Sequence, residues 1–268
     1  MIKLIASDMD GTLLNDRKEL PGDFFEVFDE LERRGIKFTV ASGRSFDAVA
    51  HLFPEEYRTR LDFICDNGAN VIHEGKQVSV TPLDRQTFEQ LIRACEDIGG
   101  LRVLVCAGRG TYHLTADAEF SAEIAKYYKN HIPCDDLLSV DDVIYKLAVC
   151  DMKGTQQHAK PAIDAIFGDR LNVQVSGPIW MDVMGAGVSK GSALRALGKH
   201  LGVSAEDTMA FGDFYNDADM LKYAGWSFAM ENGNPDIKRM TRFLARSNNE
   251  NGVLRAIRQY ALQEDSIK

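Results

Sequence analysis

Asp8-Met9-Asp10-Gly11-Thr12 follows the apolar run Ile2 to Ala6. Such a run is the pattern of a strand covered on both faces, and residues i and i+2 of an extended segment project to the same side. The Asp8 and Asp10 carboxylates can therefore share one pocket at the strand's end, where open α/β sheets bind and convert ligands. Gly11 then lets the chain turn. An isolated Asp-x-Asp also occurs on solvated loops, so the pair gains meaning only from what lies further along the chain.

Three later segments supply what two carboxylates lack. They are Ser42-Gly43-Arg44 after the apolar strand Ile36 to Ala41, Lys190 within Val188-Ser189-Lys190-Gly191, and Gly212-Asp213-Phe214-Tyr215-Asn216-Asp217 after Thr208 to Phe211. Singly, these read as a turn serine, a solvated lysine and a capping acid. Jointly, they add a hydroxyl, a cation and an acid cluster to a nucleophile, and three of the four groups follow apolar strands. In type, order and context these motifs resemble those of the haloacid dehalogenase superfamily of phosphohydrolases. The likeness is closer to its Cof-type branch, type IIB with a C2 cap, and it spans nearly the whole chain.

That resemblance implies a phosphatase for small phosphorylated metabolites, such as sugar phosphates. Asp8, already an anion at neutral pH, is suited to attack phosphorus without a base and form an aspartyl-phosphate that water then cleaves. Asp10 is the matching acid and base, protonating the leaving alcohol and later taking a proton from the attacking water. Facing carboxylates and an incoming phosphate repel one another, so a hard divalent cation with oxygen ligands is required, and Mg²⁺ meets that demand. By resemblance its ligands are the Asp8 side chain, the Asp10 backbone carbonyl and Asp213, with Asp217 and Asn216 orienting the metal shell and the adjoining pocket. Ser42 and the Gly43 N–H would bind a phosphoryl oxygen, Lys190 would neutralise charge in the transition state, and Arg44 would reach substrate.

The elements that must position these groups follow from periodicity. Phe24, Phe25, Phe28 and Leu31 recur at helical spacing between Pro21 and Gly35, which gives strand, helix, strand with Ile36 to Ala41. Phe63 to Cys65 reads as a strand, and Val71 to His73 with Gln77 to Val80 as a hairpin around Glu74-Gly75-Lys76. A second α/β pattern begins with a helix marked by Phe88, Leu91, Ile92, Cys95 and Ile98. Strands follow at Leu101 to Ala107, Tyr112 to Thr115, Tyr145 to Cys150, Leu171 to Val175 and Ile179 to Met184, with helices near 117–130 and 155–167; Pro161 starts or breaks the latter. From Ser189 the first rhythm returns, with a helix through Leu194, Leu197 and Leu201, a strand at 208–211, a helix from about 217, a strand at Trp226 to Met230 and a final helix from about 251. The expected fold is α/β: a Rossmann-like, doubly wound, mostly parallel core from residues 1–82 and 184–268, with an α/β cap inserted at 83–183.

Composition narrows the class further. With 31 basic and 40 acidic residues the formal net charge is −9, and the basic residues are scattered, so nucleic acid has no electrostatic footprint to bind. The five cysteines show neither a Cys-x-x-Cys pair nor zinc-ligand spacing with the six histidines. The first apolar run ends at Asp8, too short for a signal peptide, and no run is long enough to span a bilayer, which implies a cytoplasmic protein. Gly185-Ala186-Gly187 lacks the Gly-Lys-Ser/Thr order of a P-loop, and Asp8 to Leu13 lacks the ligand pattern of an EF-hand. In the second pattern His113, Tyr112, Trp180 and the pair Tyr127-Tyr128 are either substrate-facing or core residues. Two other activities use similar groups: a phosphomutase or phosphotransferase passing the phosphoryl group to a sugar, and a phospho-acceptor switch. The composition and motifs do not fix the oligomeric state.

Overall fold

A computed structural model describes residues 1–115, 120, 124, 128 and 130–263. Its chain divides into two compact units: Met1–Gly43, Leu52–Ser79 and Ser189–Lys268 form the first, Arg44–His51 and Val80–Val188 the second.

The first unit is built on β1 (Leu4–Asp8), β2 (Lys37–Ala41), β3 (Asp62–Cys65), β4 (Asn70–His73), β5 (Lys76–Val80), β12 (Thr208–Gly212), β13 (Trp226–Met230) and β14 (Phe243–Ala245). They lie in the order β14-β13-β12-β1-β2-β3-β4-β5. From β14 to β3 neighbouring strands run parallel, and β4 turns back antiparallel on β3. The chain builds outward from β1 through β2 and β3 on one side and from β12 through β13 and β14 on the other. The strand order therefore reverses between β1 and β12, the point at which doubly wound sheets open a crevice at their carboxyl ends.

Strand β1 is buried throughout, as a central parallel strand covered on both faces must be. On one face Leu4, Ala6, Ala210 and Ala229 pack under Leu194 and Leu197 of the helix Lys190–Leu201 and under Met220 and Leu221 of the helix Ala218–Tyr223. Another part of the core is aromatic: Phe24 meets Phe38 edge-on at 5.5 Å, and Phe53 meets Phe63 at 5.9 Å. The β4–β5 turn is made by Glu74 and Gly75, both at positive φ (49° and 72°), the backbone a two-residue hairpin needs.

The second unit holds β6 (Leu101–Ala107), β7 (Gly110–Leu114), β8 (His131–Cys134), β9 (Ile144–Asp151), β10 (Leu171–Val175) and β11 (Trp180–Gly185), in the order β10-β11-β9-β6-β7-β8. All pairs are antiparallel except β7 with β8. The helices Arg85–Ile98 and Ala159–Phe167 bury Phe88, Leu91 and Ile163 against Val105, Leu147, Val149, Met181 and Val183. The latter helix takes Pro161 at its third residue, inside the first turn, where a missing N–H costs nothing. Tyr112, whose hydroxyl donates to Asp142 at 2.9 Å, and His113, beside His131 at 3.2 Å, are built into this unit. Trp180 stacks on Phe120, and Tyr128 packs against the same cluster. The helix expected near 117–130 and Tyr127 fall outside the described residues, apart from the positions named above.

The short strands β8 and β14 and the helix Pro235–Met240 escape periodicity, because three to six residues make too few repeats to register a pattern. All five cysteines are free thiols. Among the described residues no helix is long and apolar enough to cross a membrane.

Candidate active site

Strand register brings three of the four motifs side by side. Asp8 pairs with Ala41 across β1 and β2, so Ser42 leaves its strand next to Asp8. On the other flank Ser7 pairs with Phe211, so Gly212-Asp213 leaves β12 at the same level. Lys190 arrives from outside the sheet, at the first position of its helix. Ser189 caps that helix: its side chain accepts from the Ser192 N–H at 3.1 Å while the Ser189 N–H donates back to the Ser192 hydroxyl at 3.0 Å. The turn Asp66–Gly68 braces the same end. Gly68 has φ 104°, and a Cβ there would stand 2.2 Å from the Ser189 carbonyl oxygen, so only glycine fits.

A cation in the first turn of a helix opposes the helix dipole, and a fully buried ammonium is costly to desolvate. Lys190 is at such a position and is 0% exposed. Two carboxylates offset both penalties: Lys190 Nζ donates to Asp8 Oδ1 at 2.5 Å and to Asp217 Oδ1 at 2.7 Å. The second Asp217 oxygen accepts from the Asp213 and Phe214 N–H groups at 3.0 and 3.2 Å. Asp213 itself accepts from the Thr12 hydroxyl at 3.4 Å.

Among the described residues Asp8, Asp213 and Asp217 each present a carboxylate oxygen, and these oxygens all lie within 4.8 Å of one another. Three carboxylates thus converge where Asp8 and Asp217 share one buried ammonium. Burial, reinforced by the Asp217 and Asp213 charges, pushes the Asp8 carboxyl well above its ordinary range despite Lys190. Burial and then Asp217 raise the Asp213 carboxyl to about 6. Burial works against the Lys190 ammonium, but Asp217 and Asp8 outweigh it and hold the group above its ordinary range. A site short of positive charge and lined by hard oxygen donors fits a divalent cation such as Mg²⁺.

Asp10 is less buried, and its charge adds to those that raise Asp213. Its side chain is 35% exposed and pairs with Lys18 at 2.9 Å. Ser42 is buried, and Gly43 lies against Asn67, whose side-chain atoms would be 3.1 Å from a Cβ on that glycine. Asn216 donates to Asn67 Oδ1 at 3.3 Å. Arg44 follows directly in sequence but belongs to the second unit.

Periodicity and motif reading missed Asn67, Thr12 and Asn232. Asn67, at φ 52°, donates its N–H to the Ser42 carbonyl at 3.0 Å and so links the second motif to Asn216 in the fourth. Its signal was present in Asp66-Asn67-Gly68, a turn sequence at the carboxyl end of a third buried strand. Asn232 donates to the Gly11 carbonyl at 2.7 Å and accepts from the Asn248 N–H at 3.0 Å. Nothing local in the sequence marks that bridge.

A doubly wound sheet with an acid pair at its central strand, a strand-end serine, a buried lysine and an Asp-rich turn defines a class, the α/β phosphohydrolases. A family model of haloacid dehalogenase-like hydrolases matches residues 5–257, and the chain belongs to that family. It is a phosphatase of that family, as its Cof-type motifs imply. A 5-amino-6-(5-phospho-D-ribitylamino)uracil phosphatase of Escherichia coli K12 is 30% identical over 96% of this chain and 95% of its own. An HMP-PP phosphatase of Klebsiella pneumoniae is 28% identical over 89% of this chain and 87% of its own. The solved structure of a Streptococcus mutans UA159 protein superposes with a TM-score of 0.90 at 27% identity, covering 98% of this chain and all of that one. A subclass IIB sugar phosphatase of the superfamily, BT4131, shares the fold at a TM-score of 0.81 and 19% identity, over 97% of this chain and 99% of its own.

Proposed function

We propose that this protein hydrolyses phosphate monoesters of small metabolites with Mg²⁺ as cofactor, through a phosphorylated Asp8. The observation that carries this reading is the convergence of Asp8, Asp213 and Asp217 oxygens within 4.8 Å of one another, with the buried Lys190 bonded to Asp8 and Asp217. Asp8, Asp213 and the Asp10 carbonyl would hold the ion. Asp217, whose oxygens are engaged by Lys190 and two backbone N–H groups, orients the set. When bound, Mg²⁺ supplies the positive charge that lets an anionic phosphoryl group approach an anionic carboxylate.

The chain's own residues do the rest. Asp8 forms a bond to phosphorus as the bond from phosphorus to the leaving oxygen breaks, and Asp10 delivers a proton to that oxygen. Water then attacks the same phosphorus, Asp10 takes its proton, and the bond to Asp8 breaks. Ser42 and the Gly43 N–H bind a phosphoryl oxygen, and Lys190 stays beside Asp8 through both steps. The first unit is the catalytic core in this reading, and the second is the cap that selects substrate. The named activities of the two curated relatives favour a phosphorylated metabolite over a phosphoprotein. Five free thiols accord with a reducing, cytoplasmic setting.

Asp8→Asn decides the matter. The variant should fold, bind phosphate esters and release no phosphate, while rapid acid quench of the wild-type protein during turnover should trap label on Asp8. Turnover by the variant at the wild-type rate would refute the nucleophile.

A further inference from the structure

We infer that His73, Glu74 and His200 form a second metal site on the first unit, one that takes a divalent ion of the Zn²⁺ type. His73 ends β4, Glu74 opens the turn after it, and His200 lies in the last turn of the helix Lys190–Leu201. The His73 and His200 rings meet edge to face with centroids 5.3 Å apart, and His73 Nε2 is 3.8 Å from Glu74 Oε1. Two donors bonded to one zinc ion stand about 3–4 Å apart, so His73 and Glu74 are already spaced to share one. His200 is exposed, and a turn of its ring brings a nitrogen to the same point.

Asp62 gives the cluster its chemistry. The residue is 0% exposed; its Oδ1 lies 2.7 Å from His73 Nδ1, while the buried Oδ2 has no hydrogen-bond partner among the described residues. Buried polar atoms kept for packing alone are nearly always partnered, so this carboxylate calls for another reason. A carboxylate accepts, which places the ring proton of His73 on Nδ1 and leaves a lone pair on Nε2. Neither Nε2 nor the Glu74 oxygen facing it can then donate to the other, and a cation is what both can bind. Histidines that ligate metals are held by a carboxylate in just this way, which fixes the ring and raises its basicity. The bound ion would supply the positive charge that the buried Asp62 lacks.

The surroundings favour a cation. Lys37 Nζ already contacts Glu74 Oε1 at 3.2 Å, and a dication would displace it. The last turn of a helix carries partial negative charge, which His200 shares its position with. Imidazole nitrogen selects Zn²⁺ over Mg²⁺, which prefers an all-oxygen set. The helix has 12 residues, about 18 Å of length, and its first residue is Lys190, so this site and the Asp8 carboxylates lie at opposite ends of it.

The test is nitrogen NMR of the histidine rings in the wild-type protein, with Mg²⁺ in excess and Zn²⁺ added to one equivalent. The ring signals of His73 and His200 should move and those of the other four histidines should not. Calorimetric titration with Zn²⁺ should show at least about tenfold weaker binding in His73→Gln and in His200→Gln. The second variant replaces an exposed side chain, so it keeps the fold whatever the first does. Rings that stay unmoved, movement of His73 alone, or wild-type Zn²⁺ affinity in His200→Gln would each overturn the inference.

Discussion

Lys190 and Asp8 form a buried ion pair, Nζ to Oδ1 at 2.5 Å, across 182 positions of sequence. Removing one partner of such a pair leaves an uncompensated charge in the interior, at a cost of about 3–5 kcal/mol. Lys190→Met should therefore destabilise the metal-free protein by an amount of that order in urea unfolding at pH 8. The loss should shrink toward pH 5, as the carboxylates it exposes take up protons. Phosphatase activity should fall by about 10²-fold or more, the scale set by losing one preorganised charge at a reacting centre.

Asp213 gives a pH dependence whose sign is fixed. Its carboxyl is raised to about 6 from an ordinary 3.8, first by burial and then by Asp217. A group with a raised folded-state pKa contributes stability that is full below the ordinary value and is lost as pH climbs through the raised one. In EDTA the Tm of the wild-type protein should fall between pH 4 and 7 relative to Asp213→Asn, which lacks this titration. At pH 8 the variant should be the more stable of the two.

Mg²⁺ competes with protons for the same oxygens, so its effect should be linked to that titration. Added Mg²⁺ should raise Tm more at pH 8 than at pH 5, and Asp213→Asn should lose most of this response. Calorimetric titration in two buffers of different ionisation enthalpy should show protons released on Mg²⁺ binding near pH 6.

Gly11 is a sterically enforced position. Its φ is 84°, and a Cβ would stand 2.5 Å from Asp213 Oδ2. Gly11→Ala should displace Asp213 and weaken Mg²⁺ binding by about tenfold or more, with a Tm loss of several degrees from backbone strain.

Asn67 separates backbone from side chain. Glycine accepts φ 52° but cannot hold Asn216, so Asn67→Gly should fold with a near wild-type Tm and a raised KM for phosphate esters. Asn67→Ala should show the same KM and a lower Tm, because it adds strain to the lost hydrogen bond.

Much of the proposed site was legible in the sequence. Apolar runs end at Asp8, Ala41 and Phe211, and a parallel strand ends where its apolar run ends, so Asp8, Ser42 and Asp213 had to emerge at one edge of a sheet. Lys190 was legible through Ser189, whose capping role marks a helix start. The segment Arg44–His51 was not: it packs with the second unit although it follows the second motif directly, and no local pattern distinguishes those alternatives. Phe214 and Tyr215 were equally silent, and both prove exposed, with the Tyr215 hydroxyl held by Asp236 at 2.5 Å.

Residue type and spacing, by themselves, determined the strand ends, the helix starts and the choice of the groups proposed to react, because hydrophobic periodicity and capping act over a few residues. Only the tertiary structure decided that Asp8 and Asp217 share one ammonium beside Asp213, that Asn67 and Asn232 tie loops far apart in sequence, and that Lys18, at positive φ, reaches Asp10. Those relationships depend on strand register and on distances between segments separated by up to more than two hundred positions, which no local preference of the chain encodes.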